Sequence, residues 1–286
     1  MNQPRGGSPP PTSPEVSRAV WEQLELRPET EMHVGFQSRV FRAAGPTGSV
    51  VVKLIEADGT HDVARRAVFA HRLAQINPAV VGPIELDSAL VTQVDTWQAV
   101  CYPFVEGTPP STSTHRDVEA MARTLSELHE SVAMLNAHDL PLVAALRGEP
   151  DSRLAGDTLI HGDFGQPNLI ATPSGLKIID FDESGRGSIE FELGNSLYMT
   201  LFDSWQSNSP DRYRRFRTWF MDAYDNAASA PVDESLVDEA IRLRIRALGR
   251  WLADPASAPV GIRTASREWH DRLASFVNDI ETRRYG

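Results

Sequence analysis

The residues best able to do chemistry fall in two short stretches, HGDFGQPN at His161 to Asn168 and IDFD at Ile179 to Asp182. Between them, Thr-Pro-Ser-Gly separates the apolar runs Leu169 to Ala171 and Leu176 to Ile179, which predicts a tight hairpin. Polar groups at the mouth of such a hairpin are fixed by its strands and are not loose surface decoration. Asp163, Asn168 and Asp180 converge there and offer oxygen ligands for Mg²⁺ together with one carboxylate to orient a nucleophile. Phosphoryl transfer needs that equipment, because its transition state requires positioning and charge neutralisation more than covalent help. His161 reads as a structural histidine, and Asp182 reads either as a cap or as a further ligand.

One cation stands apart. The chain holds 26 arginines and only two lysines, Lys53 and Lys177. The two side chains are not interchangeable where a compact ammonium is wanted. Lys53 follows the apolar triplet Val50 to Val52 and precedes Leu54 and Ile55, so it reads as a half-buried ammonium reaching nucleotide phosphates. The Walker pattern G-x-x-x-x-G-K-[ST], the zincin H-E-x-x-H and the hydrolase G-x-S-x-G are absent.

These groups need two kinds of scaffold. From Met32 to Ala57, two β-rich runs joined by Gly-Pro-Thr-Gly read as a hairpin carrying Lys53, followed by a helix over about 61–75 and short strands near 89–93 and 98–104. Residues 105–114, VEGTPPSTST, read as a hinge. Beyond it Val118, Met121, Leu125, Leu128 and Val132 recur at helical spacing, with Thr114 available as N-cap. Further amphipathic helices are expected near 211–226, 233–252 and 262–282. The expectation is α+β and bilobal: a tail over 1–14, a small β-rich N-lobe over 15–104, the hinge, and a mainly helical C-lobe over 115–286.

Composition narrows the classes. With 286 residues, 41% hydrophobic and 23% charged, the chain can bury a core without staples. It holds no apolar run of transmembrane length and no signal-like leader, so a cytoplasmic protein without a membrane role is expected. Net charge is −11, with 12 basic and 18 acidic residues up to position 150 and 16 and 21 after it, which speaks against a nucleic-acid binder. The single Cys101, within AVCYPF, reads as a small buried hydrophobe.

On these landmarks the chain resembles the aminoglycoside phosphotransferase and choline kinase superfamily, small-molecule kinases with the protein-kinase fold. VVVK, YPFVEG, LSELH, the HGDxxxxN loop and the IDFD motif occur in the family's order from about residue 30. The resemblance implies that Asp163 orients or deprotonates the acceptor hydroxyl, that Asn168 and Asp180 hold Mg²⁺, and that His161 braces the loop. It places nucleotide, ATP or GTP, against Lys53, Tyr102, Phe104 and Val105, with backbone amides near Gln37 and Ser38 cradling phosphate.

One departure matters. The helix after the lysine strand normally carries a Glu that pairs with the lysine, yet residues 59–76 contain none, Arg65 or Arg66 stands in that register, and Asp62 is the nearest substitute. The acceptor pocket is expected after residue 195, where Asp203, Trp205, Asp211, Asp222 and Tyr224 offer acids and aromatic faces. The implied activity is ATP-dependent phosphorylation of a small hydroxylated molecule, an antibiotic or related natural product that is not strongly polycationic. The alternatives are a metabolite kinase of choline, homoserine or sugar type, and a nucleotide-binding pseudokinase. A protein kinase fits less well, since no Ala-Pro-Glu activation segment lies between Gly175 and Asp222.

Overall fold

A computed structural model describes residues 16–34, 38–46, 48–56, 62–135, 140–258, 260–263 and 265–282. The N-terminal tail and Gln37 therefore lie outside the described residues. After a short helix, α1 (Arg18–Gln23), come the strands β1 (Arg27–Val34), β2 (Ser38–Gly45) and β3 (Gly48–Glu56). The helix α2 (Val63–Ala74) precedes β4 (Thr92–Val94) and β5 (Trp97–Pro103), which complete an antiparallel sheet in the order β1-β2-β3-β5-β4. The expected hairpin closes at Gly45 opposite Gly48, and its register sets Lys53 between Val40 and Val100. Lys53 occupies the central strand, and its ammonium faces Asp180 and Asp182 in the loop after β8.

The helical half begins with α3 (His115–Ala133), for which Thr114 is the N-cap residue although its hydroxyl makes no capping bond. Asp117 instead accepts a hydrogen bond from the backbone N–H of Ser111, fixing the approach to the helix. Two antiparallel strand pairs follow: β6 (Thr158–Ile160) pairs with β9 (Gly185–Gly187), and β7 (Leu169–Thr172) pairs with β8 (Gly175–Ile178). Then come α4 (Ile189–Gln206), α5 (Pro210–Ala227), α6 (Glu234–Ala253), α7 (Val260–Arg263) and α8 (Arg267–Glu281). The last stretch, expected as one helix, is two. Leu193, Leu197, Phe216, Phe220, Leu243, Ala247 and Phe276 pack into one large core under the catalytic loop. Among the described residues no helix is long and apolar enough to cross a membrane.

The β7–β8 hairpin joins the two halves. On one side Thr108 pairs with Ala171, and on the other Ile178 exchanges backbone bonds with Ala79 and Val81. The second lysine belongs to this clamp, since Lys177 Nζ donates to the Pro78 carbonyl at 2.7 Å. The loop mouth is thereby tied to the N-lobe through backbone, a coupling independent of any side-chain chemistry.

Candidate active site

The catalytic-type loop runs from β6 to β7 and is stabilised from behind. Gly162 has φ of 82°, and a Cβ there would collide with the Glu183 carbonyl, so this left-handed turn admits only glycine without strain. His161 is buried; its Nε2 bonds the Ile179 carbonyl at 3.0 Å while Nδ1 accepts from the Asp163 backbone N–H at 3.2 Å. That pairing describes a neutral ring protonated on Nε2, a brace and not an acid or base. Phe181 packs on the same ring at 4.6 Å.

Sequence reasoning missed the strongest support. Glu192 on α4 is fully buried, and its two carboxylate oxygens accept the backbone N–H groups of His161 at 2.5 Å and Gly162 at 2.9 Å. One turn on, Asn195 donates to the Gly162 carbonyl and Ser196 to the Phe164 carbonyl. A buried carboxylate is tolerable only when it is bonded in this way. The signal available in the sequence was a Glu, an Asn and a Ser at i, i+3 and i+4 inside the otherwise apolar FELGNSLY.

The loop presents Asp163. Asn168 Nδ2 donates to its backbone carbonyl at 2.8 Å and to Oδ2 at 2.9 Å, fixing the carboxylate and leaving the amide oxygen of Asn168 as the free end. Burial pushes the Asp163 carboxyl up to about 6, against the pull of the Arg244 charge. Across the mouth, Asp180 sits in a left-handed conformation, φ 64°, and the Asp182 N–H approaches its Oδ1 at 3.4 Å. This turn sends both carboxylates to Lys53: Nζ lies 2.8 Å from Asp180 Oδ1 and 2.7 Å from Asp182 Oδ2. Burial works to raise Asp180, but the Lys53 charge and hydrogen bond outweigh it and hold the acid below its usual range. Burial likewise works to lower Lys53, and the facing Asp182 and Asp180 charges reverse it, keeping the ammonium protonated.

This resolves the missing helix acid. Asp62 is the N-cap residue of α2 and pairs with Arg65 at 3.7 Å, while Asp182 from the loop after β8 stands beside the lysine. The expectation that Asp62 substitutes is therefore corrected: the acid comes from the other lobe. Arg66, in the register of the missing Glu, donates to the Ser184 carbonyl at 3.1 Å and so docks α2 on the same loop through backbone.

Lys53, Asp180 and Asn168 line a cleft of about 510 Å³ together with Val51, Tyr102, Phe104, Val105 and Ile170. Its size and mostly apolar walls suit a nucleobase, with polar groups only at the inner end. Ser38 opens β2 opposite Ile55 and is buried. Cys101 is buried, and desolvation pushes its thiol up to about 12. Among the described residues no cluster of three or more His, Cys, Asp or Glu side chains forms a metal centre. The donor set at the mouth, one carboxylate and one amide oxygen, fits Mg²⁺ as a cation completed by phosphate oxygens and water.

The residues expected to line the acceptor pocket divide. Asp203 remains with the site: burial raises its carboxyl, Arg212 lies 3.9 Å away, and its charge reaches Tyr198 beside Asp163. The others do not. Trp205 donates to Asp279 at 3.1 Å and stacks on Phe202, stapling α4 to α8. Tyr224 is buried and bonds His129 Nδ1 at 2.7 Å. Asp222 is exposed on α5, and Asp211 pairs with Arg214 on the surface. Tyr224 follows Phe216 and Phe220 at steps of four on the buried face of α5, away from the exposed Asp222.

Comparison with known proteins agrees with this geometry. Residues 133–230, which span the loop and its brace, match the model of the phosphotransferase enzyme family (APH). No curated protein matches the sequence significantly. Among solved structures, an amicoumacin kinase in complex with AMP-PNP, Ca²⁺ and Ami superposes with a TM-score of 0.68 at 14% identity, covering 90% of this chain and 88% of that one. An aminoglycoside phosphotransferase from Alicyclobacillus acidocaldarius gives 0.55 at 15% identity over 96% and 97%. Choline kinase from Cryptosporidium parvum gives 0.58 at 11% over 94% and 91%. The chain therefore has the protein-kinase-like α+β fold of these phosphotransferases, and its central segment, residues 133–230, matches their family model.

Proposed function

We propose that the protein is an ATP-dependent O-phosphotransferase that phosphorylates a hydroxyl of a small molecule, an antibiotic or a related natural product. The observation that carries the reading is the Asp163 carboxylate fixed by Asn168, with Lys53 held 2.8 Å from Asp180 across the cleft. Asp163, its carboxyl pushed up to about 6, is poised to take the acceptor proton near neutral pH. The acceptor oxygen then attacks the γ-phosphorus as its proton passes to Asp163, and ADP leaves with the electrons of the broken P–O bond. Lys53 would release its carboxylates in part to the α- and β-phosphates. Asn168 and Asp180 would hold Mg²⁺, which when bound neutralises phosphate charge. Tyr102, Phe104 and Val105 would flank the base, with backbone near Gln37 and Ser38 over the phosphates; GTP is the alternative donor.

The pseudokinase alternative rested on the absent helix Glu, and Asp182 beside Lys53 removes that support. Amicoumacin and spectinomycin kinases among the structural neighbours favour an antibiotic acceptor, while the choline kinase keeps metabolites in the comparison. Function in the cytoplasm, where ATP is available, belongs to this reading. The test is turnover of ATP with Mg²⁺ across a panel of antibiotics and hydroxylated metabolites. Phosphorylation of at least one acceptor, absent in Asp163→Asn, is expected. Failure of the wild type to bind ATP would reject the proposal.

A further inference from the structure

Arg244 lies on α6, the helix packed against α4 beneath the catalytic loop. Its neighbours in sequence, Leu243 and Ile245, are 0% and 2% exposed, so the side chain leaves a fully packed stretch of helix. The guanidinium carbon lies 5.5 Å from the Tyr198 ring and 5.3 Å from the Trp251 ring, which hold the planar group in place. Nε is closed off from solvent and has no hydrogen-bond partner, and among the described residues Arg244 makes no ion pair or hydrogen bond at all. The residue as a whole is only half-buried.

The neighbouring arginines behave differently. Arg212, the other helical arginine with a closed Nε, donates to Thr112 at 2.8 Å and faces Asp203 at 3.9 Å. Arg246 and Arg250, further along α6, both bond Glu149. A half-buried cation without an anion is unfavourable in a finished site, because its desolvation is not offset. Arg244 is such a cation, and it lies against Tyr198 of α4, the helix whose Asn195 and Ser196 hold the loop that presents Asp163.

We propose that Arg244 is the acceptor-selecting residue: its open guanidinium fork binds a carboxylate carried by the hydroxylated substrate, so that the acceptor is a hydroxy acid. This deepens the kinase reading and rests on it. The planar fork matches a carboxylate bidentately, and the two flanking rings fix its plane. One end of the acceptor then meets Arg244 while a hydroxyl on the same molecule meets Asp163. A polycationic acceptor would set its own charge against this guanidinium, in keeping with the small acidic excess of the C-terminal half.

The test uses matched probes: glycerate, gluconate and shikimate, each against its primary amide, at equal concentration with ATP and Mg²⁺. Melting shift and phosphorylation are read for wild type, Arg244→Met and Arg244→Lys. The wild type is expected to be stabilised by at least one acid and to favour it over its amide by about tenfold or more. Arg244→Met is expected to lose that preference and Arg244→Lys to keep part of it. If no acid outperforms its amide in binding or turnover, or if Arg244→Met keeps the preference, the proposal is overturned. A variant that alters only the pH profile of the rate overturns it too, since Arg244 then serves Asp163 alone. ATP affinity of the wild type, measured in the same series, separates the two readings: nucleotide binding with phosphorylation of neutral or cationic acceptors leaves the kinase standing without the carboxylate.

Discussion

The two walls of the catalytic cleft are built to different standards of completeness. On the loop side His161, Gly162, Asp163, Asn168 and Asp180 each have bonded partners, and a buried carboxylate, Glu192, ties the loop to α4. On the acceptor side Arg212 and Arg244 both carry a desolvated Nε with no partner. Behind the loop Asn195 Oδ1 and His129 Nε2 also lack partners, but the groups that the loop presents are bonded before any ligand arrives, whereas the arginines on the other side keep donors without one.

The sharpest way to break the contrast is at Asp163. Asp163→Asn should lower kcat by about 100-fold or more while leaving the loop bonded, since an amide still fills the site. The same variant reports on the burial of the charge. The folded carboxyl stands near 6 against an ordinary value of 3.8, so the folded state holds its proton more tightly than the unfolded one. The stability from this group is present below about 4 and is lost as pH rises through about 6. Asp163→Asn should therefore melt higher than wild type at pH 8 and level with it near pH 4. A variant that melts lower at both pH values would refute this.

Glu192→Gln attacks the finish of the loop wall. One carboxylate oxygen becomes a donor facing the backbone N–H groups it now accepts, with an expected loss of ~3 kcal/mol and a fall in Tm of roughly 6 to 10 °C. Thermal melts with an unchanged midpoint would show that α4 does not brace the loop. A smaller effect is expected at the lysine. Asp182→Asn should raise the KM for ATP about tenfold, with kcat falling less, whereas Asp62→Ala should stay within about twofold of wild type on both. The reverse ranking would restore the helix acid. Smallest of all, Asp222→Ala, on the open face of α5, should change neither KM for the acceptor nor Tm beyond about 1 °C.

Much of the finished wall was readable in the sequence, because an octapeptide of Gly, Pro and oxygen-bearing side chains between apolar strands has few other uses. Asp163 meets Asn168 within the loop, and Lys53 meets Asp180 across the cleft. Glu192 was hidden because one acid on a helix looks like surface until its burial is known. Asp182 was legible only as an open choice, since its pairing with Lys53 depends on the left-handed turn at Asp180. The edge strand β1, RPETEMHV, carries too few apolar residues to announce itself. The acceptor wall was least legible: Trp205 and Tyr224 have the composition of a pocket but point into helix packing, and Arg244 is one arginine among 26.

Because Lys53 takes its acids from the far side of the cleft, α2 has no part in charging it. Protein switches that work by swinging such a helix rely on the loss of that one ion pair. Here the swing would leave the pair intact, with only the Arg66 contact to the Ser184 backbone to lose. A displacement of α2 would therefore leave the charged centre of the cleft as it is.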